Sequence, residues 1–298
     1  MSKLVSGVYA ALSTPRQKDG SLDETALRKS IEFLLERGIR GFAINGATGE
    51  YCLTTNEELK QMLRVANDVL PPSVKYIVGI GSAGTQGCVN NGNVAIDSGA
   101  TGVLLPMPHF FSYSQDDLIA FSEDVAGRLP IPILLYNLPQ FTNGLDSATV
   151  QNLLANCTNI VGIKDSSGSL ETLRDLTKNN PESCRIVGND SALADSLREH
   201  IADGVISGVA GVLPELILSI YARRNETDSA EFGDSVDRLV EFIGQINTFP
   251  TPWGVKIIAK SRGIIPASFS QPLSSQRLAQ SQSLERSFQE WQSENNWI

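Results

Sequence analysis

Residues 131–168 read IPILLYNLPQFTNGLDSATVQNLLANCTNIVGIKDSSG. Two short apolar runs, 131–136 and 160–164, flank a longer segment that Asp146 is well suited to cap as a helix. Both runs are apolar at every second position and between, as strands covered on both faces are. Two such strands joined through a helix form a crossover unit of the parallel type. The same alternation recurs along the chain, with further candidate strands at 7–13, 41–45, 74–79, 102–106, 185–188 and 204–207. Eight strand–helix units in about 225 residues predict an α/β fold, a (β/α)8 TIM barrel. A doubly wound open sheet is the rival, because strand count alone does not separate the two.

Helix signals support the pattern. Thr54 and Glu57 have capping-box spacing ahead of an apolar stripe of Leu59, Met62, Leu63, Ala66 and Leu70. Asp23, Ser114 and Ser169 are further N-cap candidates, and Pro214 suits a first helical turn after the eighth strand. We divide the chain into a barrel at 1–225 and a C-terminal helical extension at 226–298, packed on the barrel or on a neighbouring subunit. In that extension Phe232, Val236, Leu239, Val240, Ile243 and Ile246 make one stripe, and 253–260 and 278–291 look helical. The Ser/Gln-rich residues 268–283 read as surface.

Composition bounds the function. The 298 residues are 41% hydrophobic and carry a net charge of −9 with no basic run, which suits a globular core and disfavours nucleic acid or an anionic membrane as partner. No apolar window reaches the ~18 residues of a membrane span, and the first residues are too weakly apolar for a signal peptide. Cys52, Cys88, Cys157 and Cys184 share no short spacing and read as free thiols in a reducing, cytoplasmic setting. The two histidines, His109 and His200, stand near no second metal-type ligand in a known spacing, so no metal is expected. Gly79–Gly87, rich in glycine, matches neither a phosphate loop nor a dinucleotide fingerprint.

In a barrel of this kind the site lies at the C-terminal ends of the strands. Those ends present Thr48 and Glu50, His109 and Phe110, Tyr136 and Asn137, Lys164 to Ser166, Asn189 and Asp190, and Ile206 and Ser207. Lys164 is the unusual member, a lysine ending an apolar strand. It reads as a snorkelling cation, half of an ion pair or a reactive amine. In the third case burial disfavours the ammonium form, and the neutral amine forms a Schiff base with a ketone. Tyr136 then serves as a proton shuttle. Thr48 and the backbone amides near it suit a carboxylate. Glu50 reads equally well as an acceptor that ties its loop down.

The motifs, taken in order, resemble a known family. GVYAALSTP, NGATGE, LLYNLP, VGIKDSSG and GVISGVAGV are similar to successive segments of the dihydrodipicolinate synthase / N-acetylneuraminate lyase superfamily, the pyruvate-dependent class I aldolases. The resemblance implies that Lys164 forms the imine and that Tyr136 transfers protons. It puts Thr48 and Ala47 at the pyruvate carboxylate, Ile206 and Gly188 along the bound 2-oxo acid, and Phe110 at the place of a tyrosine lent across a subunit interface. It further implies a homotetramer (a dimer of dimers), a 2-oxo acid and an aldehyde as reactants, and no cofactor.

Three departures bear on substrate. Ala47 stands where the synthases have a second Thr, Phe110 where they have the relay tyrosine, and Phe141 where they have an arginine for the aldehyde's carboxylate. Asp190-Ser191 replaces the Asp-Glu pair of the sialic-acid lyases. The resemblance therefore leads to a carbon–carbon lyase for a 2-keto-3-deoxy sugar acid or similar 2-oxo acid, with an apolar mouth. The alternatives are 4-hydroxy-tetrahydrodipicolinate synthase, a dehydratase using the same imine, and a 2-oxo acid binding protein without turnover.

Overall fold

The computed structural model describes residues 3–295. Each predicted run forms a strand: β1 (Gly7–Ala11), β2 (Gly41–Ile44), β3 (Lys75–Gly79), β4 (Gly102–Pro106), β5 (Ile133–Asn137), β6 (Ile160–Asp165), β7 (Cys184–Val187) and β8 (Gly204–Ser207). They pair in sequence order, all parallel. β8 returns to β1 with Gly204 opposite Gly7 and Ile206 opposite Tyr9, so the sheet closes and the open-sheet rival is excluded. The double-sided apolar pattern has a direct cause. Tyr9, Ala43, Ile77, Leu104, Leu134, Ile186 and Ile206 fill the barrel interior, while Phe42, Val78, Val103, Leu105, Ile133, Leu135, Ile163 and Val205 face the surrounding helices.

The covering helices are α1 (Glu24–Glu36), α2 (Asn56–Val69), α3 (Thr85–Asp97), α4 (Gln115–Arg128), α5 (Ser147–Asn156), α6 (Glu171–Asn179), α7 (Leu193–Arg198) and α8 (Pro214–Ala222). Asp23, Ser114 and Asp146 cap α1, α4 and α5 with their side chains, and Pro214 opens α8. Two cap predictions are corrected. Thr55, not Thr54, is the N-cap of α2, since its hydroxyl accepts the Glu58 N–H at 3.1 Å while Thr54 ends the preceding 3-10 turn. The adjacent threonines offer the same spacing one residue apart. Ser169 lies one residue outside the cap position of α6, although its hydroxyl accepts the Glu171 N–H at 3.2 Å.

Helices α9 (Ala230–Ile246), α10 (Trp253–Ser261) and α11 (Ser275–Asn295) follow the barrel. α9 packs on α8 and on the turn after β7. Its buried face is Phe232, Ser235, Leu239, Phe242, Ile243 and Ile246. Val240, assigned to the stripe from sequence, is 61% exposed, and Phe242 takes its place in the core. Phe242, Phe288 and Trp291 cluster with ring centroids about 6 Å apart, joining α9 to α11. The last three residues of the predicted extension lie outside the described residues. Among the described residues no helix is long and apolar enough to cross a membrane.

Candidate active site

Strand register sets the centre of the site. Tyr136 near the end of β5 lies directly opposite Lys164 near the end of β6, and Ile163 faces outward, so Lys164 points inward beside Tyr136. Asp165 points away and accepts hydrogen bonds from the Asn137 amide and the Ser167 N–H. Lys164 is only 4% exposed, and its Nζ donates to the Tyr136 hydroxyl at 2.8 Å. Burial pulls the Lys164 ammonium down from its ordinary value to about 7, opposed by the Asp190 carboxylate. Burial pushes the Tyr136 phenol up, opposed by the Ser166 hydroxyl and the Ala47 backbone beside it. Near neutral pH a substantial share of the lysine is therefore free amine next to an un-ionised phenol, a nucleophile beside a proton carrier.

A cavity of about 350 Å³ opens over this pair. Its lining brings together Ala47, Thr48, Tyr136, Lys164, Gly188 and Ile206, six of the seven residues singled out from sequence. The seventh, Phe110, is not brought in. It has a left-handed backbone (φ 80°), is 90% exposed, and packs edge-on against Phe111 at 4.9 Å on the outer surface. The resemblance puts Phe110 at a residue lent across a subunit interface, and a position on the outer surface of its own chain is consistent with that. Phe141 does line the cavity.

The mouth also carries polar groups. Gln140, Ser166, Asn189, Asp190 and Ser191 line it, and the extension adds Asn247 and Thr251 with Ile243, Ile246 and Val255. Asp190 is fixed from one side, since its Oδ2 accepts the Val209 N–H at 3.3 Å after β8. Burial raises its carboxyl from the ordinary aspartate value, opposed by hydrogen bonds from Ser207 and Val209 and by Lys164. Asp190 Oδ1 and Ser166 Oγ are buried without a hydrogen bond of good geometry. Two such oxygens lining one cavity suit the hydroxyls of a substrate.

Gly188 approaches so closely that a Cβ there would lie 2.1 Å from Ser166 Oγ and 2.6 Å from Lys164 Cε. Gly188→Ala is expected to displace the lysine chain and lower kcat/KM about 10²-fold. The loss of stability is expected to be smaller, about 1–3 kcal/mol. Steady-state kinetics and urea unfolding of the purified variant check both.

The loop after β2 carries Ala47 and Thr48 and ends in Glu50, whose carboxylate accepts from Lys256 of α10 in a buried ion pair. Sequence reading missed Lys256. Its signal was present, a lysine amid Val255, Ile257, Ile258 and Ala259, the same kind of anomaly that marked Lys164. Asn247, Thr251 and Val255 gave no local signal, since they reach the cavity only through packing of the extension.

A buried amine at the mouth of a closed parallel barrel, in contact with a tyrosine hydroxyl, is the arrangement that Schiff-base lyases use. The match to known proteins narrows the class. The chain belongs to the Dihydrodipicolinate synthetase family, whose model matches residues 4–290. Members of this family are lyases or aldolases that work through a Schiff base with pyruvate, and this chain is an enzyme of that class. A 4-hydroxy-tetrahydrodipicolinate synthase of Staphylococcus saprophyticus is 30% identical over 295 residues, covering 98% of each chain. The crystal structure of dihydrodipicolinate synthase from Aquifex aeolicus superposes with a TM-score of 0.89 at 26% identity, over 96% of this chain and 98% of that one. YagE, a prophage protein of the dihydrodipicolinic acid synthase family from E. coli K12 solved in complex with pyruvate, gives 0.88 at 26% identity, over 97% and 99%.

Proposed function

We propose that this enzyme cleaves and forms the carbon–carbon bond of a 2-keto-3-deoxy sugar acid or a similar 4-hydroxy-2-oxo acid, with pyruvate as the common product. The observation that carries the reading is Lys164, buried with its amine 2.8 Å from the Tyr136 hydroxyl at the base of a cavity.

The chemistry follows from these groups. The Lys164 amine attacks the 2-oxo carbon, and the carbinolamine loses water to leave an iminium. Loss of the proton from the substrate's 4-hydroxyl then breaks the C3–C4 bond. The aldehyde departs, and the electron pair moves into the C2–C3 bond as an enamine. Tyr136 carries the proton between the hydroxyl and the solvent side, with Thr48 or water in place of a relay tyrosine. Protonation of C3 and hydrolysis of the imine release pyruvate and free the lysine. Thr48 and the backbone around Ala47 hold the carboxylate, and Ile206 and Gly188 flank the bound 2-oxo acid.

The polar rim supports a hydroxylated acceptor, since Gln140, Ser166, Asn189 and Asp190 present hydrogen-bonding groups to the cavity. It counts against the synthase activity named for the relatives. Phe141 lines the mouth, and among the lining residues Lys164 is the only cation, so a second substrate carboxylate finds no counter-charge. Incubation with a panel of 2-keto-3-deoxy acids, coupled to lactate dehydrogenase, is expected to release pyruvate from at least one. Release from none, with condensation of pyruvate and aspartate semialdehyde instead, would return the enzyme to the synthase reading. We further place the chain in the cytoplasm as a homotetramer. The exposed group of Phe110, Phe111, Tyr113 and Phe141 supports an interface at this end of the barrel. Sedimentation velocity is expected to give the tetramer mass.

A further inference from the structure

We propose that Lys256, on the C-terminal extension, is a positioning residue for 2-oxo acid binding: its ion pair with Glu50 sets the turn that presents Ala47 and Thr48 to the substrate carboxylate. The inference rests on the imine reading given above and adds to it a residue that touches no substrate.

Lys256 is fully buried, and its partner Glu50 is 7% exposed, although the two are 206 positions apart. Two charges are taken out of water here, which is costly unless each satisfies the other. Their location relates them to the site. Glu50 closes the turn after β2 with a left-handed backbone (φ 57°, ψ 47°), which a non-glycine residue keeps only when its surroundings hold it. The turn itself is short and tightly bonded. The Glu50 N–H donates to Ala47 O at 2.9 Å, the Gly49 N–H donates to Gly46 O at 3.1 Å, and the Thr14 hydroxyl donates to Gly49 O at 2.6 Å. Thr48 is enclosed by these bonds, and the Ala47 backbone lies against the Tyr136 oxygen. A shift of Glu50 therefore moves Ala47 and Thr48 with it. On the other side of the pair, Val255 precedes Lys256 and lines the same cavity. The extension thus reaches the site twice, once as wall and once as anchor of the carboxylate turn.

The test measures borohydride trapping of pyruvate as a function of pyruvate concentration, with thermal stability followed separately. Glu50→Gln keeps the acceptor oxygen and removes the charge. It is expected to raise the half-saturating pyruvate concentration roughly tenfold while leaving the limiting trapping rate near wild type. The double variant Glu50→Leu, Lys256→Met removes both charges together and is expected to recover stability. It is expected to keep the raised half-saturation, which a purely structural pair would not produce. Wild-type half-saturation in Glu50→Gln, and in the double variant where it folds, overturns the inference whatever the stabilities. Failure of the wild-type enzyme to trap pyruvate at all would instead overturn the imine reading, so the two failures are distinct.

Discussion

Lys164→Met is expected to abolish turnover and to make the protein more stable. The loss in kcat should be on the order of 10⁴-fold or more, because among the described residues lining the cavity no other amine is present for the imine to form on. The gain follows from linkage. The Lys164 ammonium ionises near 7 in the folded chain but near its ordinary value when unfolded. Between those values the unfolded chain binds the extra proton, so stability rises with pH across that window, and the penalty is fully present below about 7. Methionine fills the space without the penalty. Urea unfolding at pH 7 is expected to show a gain of a few kcal/mol, on the order of one per pKa unit removed. The gain should shrink toward pH 10. Equal stability of the two proteins across that range would show that the amine is not held against its charge.

The same depressed pKa sets the rate profile of the intact enzyme. Below about 7 the amine is protonated and cannot attack, and above it the free base predominates. Imine formation should therefore rise with pH, pass its midpoint near 7, and level off. The Asp190 carboxylate opposes the shift. Asp190→Asn is expected to move the midpoint to lower pH, a direction that stopped-flow trapping across pH resolves.

Tyr136→Phe comes second in size. It removes the hydroxyl that Lys164 contacts at 2.8 Å and leaves the ring that packs 4.0 Å from the amine. Proton transfer by a positioned side chain contributes about 10²–10⁴-fold, and kcat is expected to fall by that amount. The pyruvate concentration needed for half-maximal trapping should change much less, because Thr48 and the Ala47 backbone remain. A variant with unaltered kcat would remove Tyr136 from the proton path and leave Thr48 or water to carry it.

The barrel and its centre were legible because both depend on local pattern. Apolar runs of four to six residues separated by capped amphipathic segments define the strands. A lysine at the end of one run and a tyrosine in the next run back then fall opposite each other through parallel register. What escaped depends on long-range packing. The Glu50–Lys256 pair joins positions that no spacing rule connects. Asn247 just after α9, Thr251 before α10 and Val255 on α10 reach the cavity through packing of the extension on the barrel, and the buried face of α9 includes Phe242 rather than Val240. Phe110 combines a left-handed backbone with a 90% exposed side chain, neither of which its residue type signals. Within one chain Phe141 lines the mouth together with the polar Ser166 and Asp190.

The central claim is that Lys164 carries the substrate as an imine. Incubating the wild-type enzyme with pyruvate and borohydride, followed by proteolysis and mass spectrometry, tests it most directly. One reduced pyruvate adduct per chain, mapped to the peptide spanning β6 and located on Lys164, is the expected result. An unmodified Lys164 peptide, or an adduct on another lysine with Lys164 intact, would contradict the account.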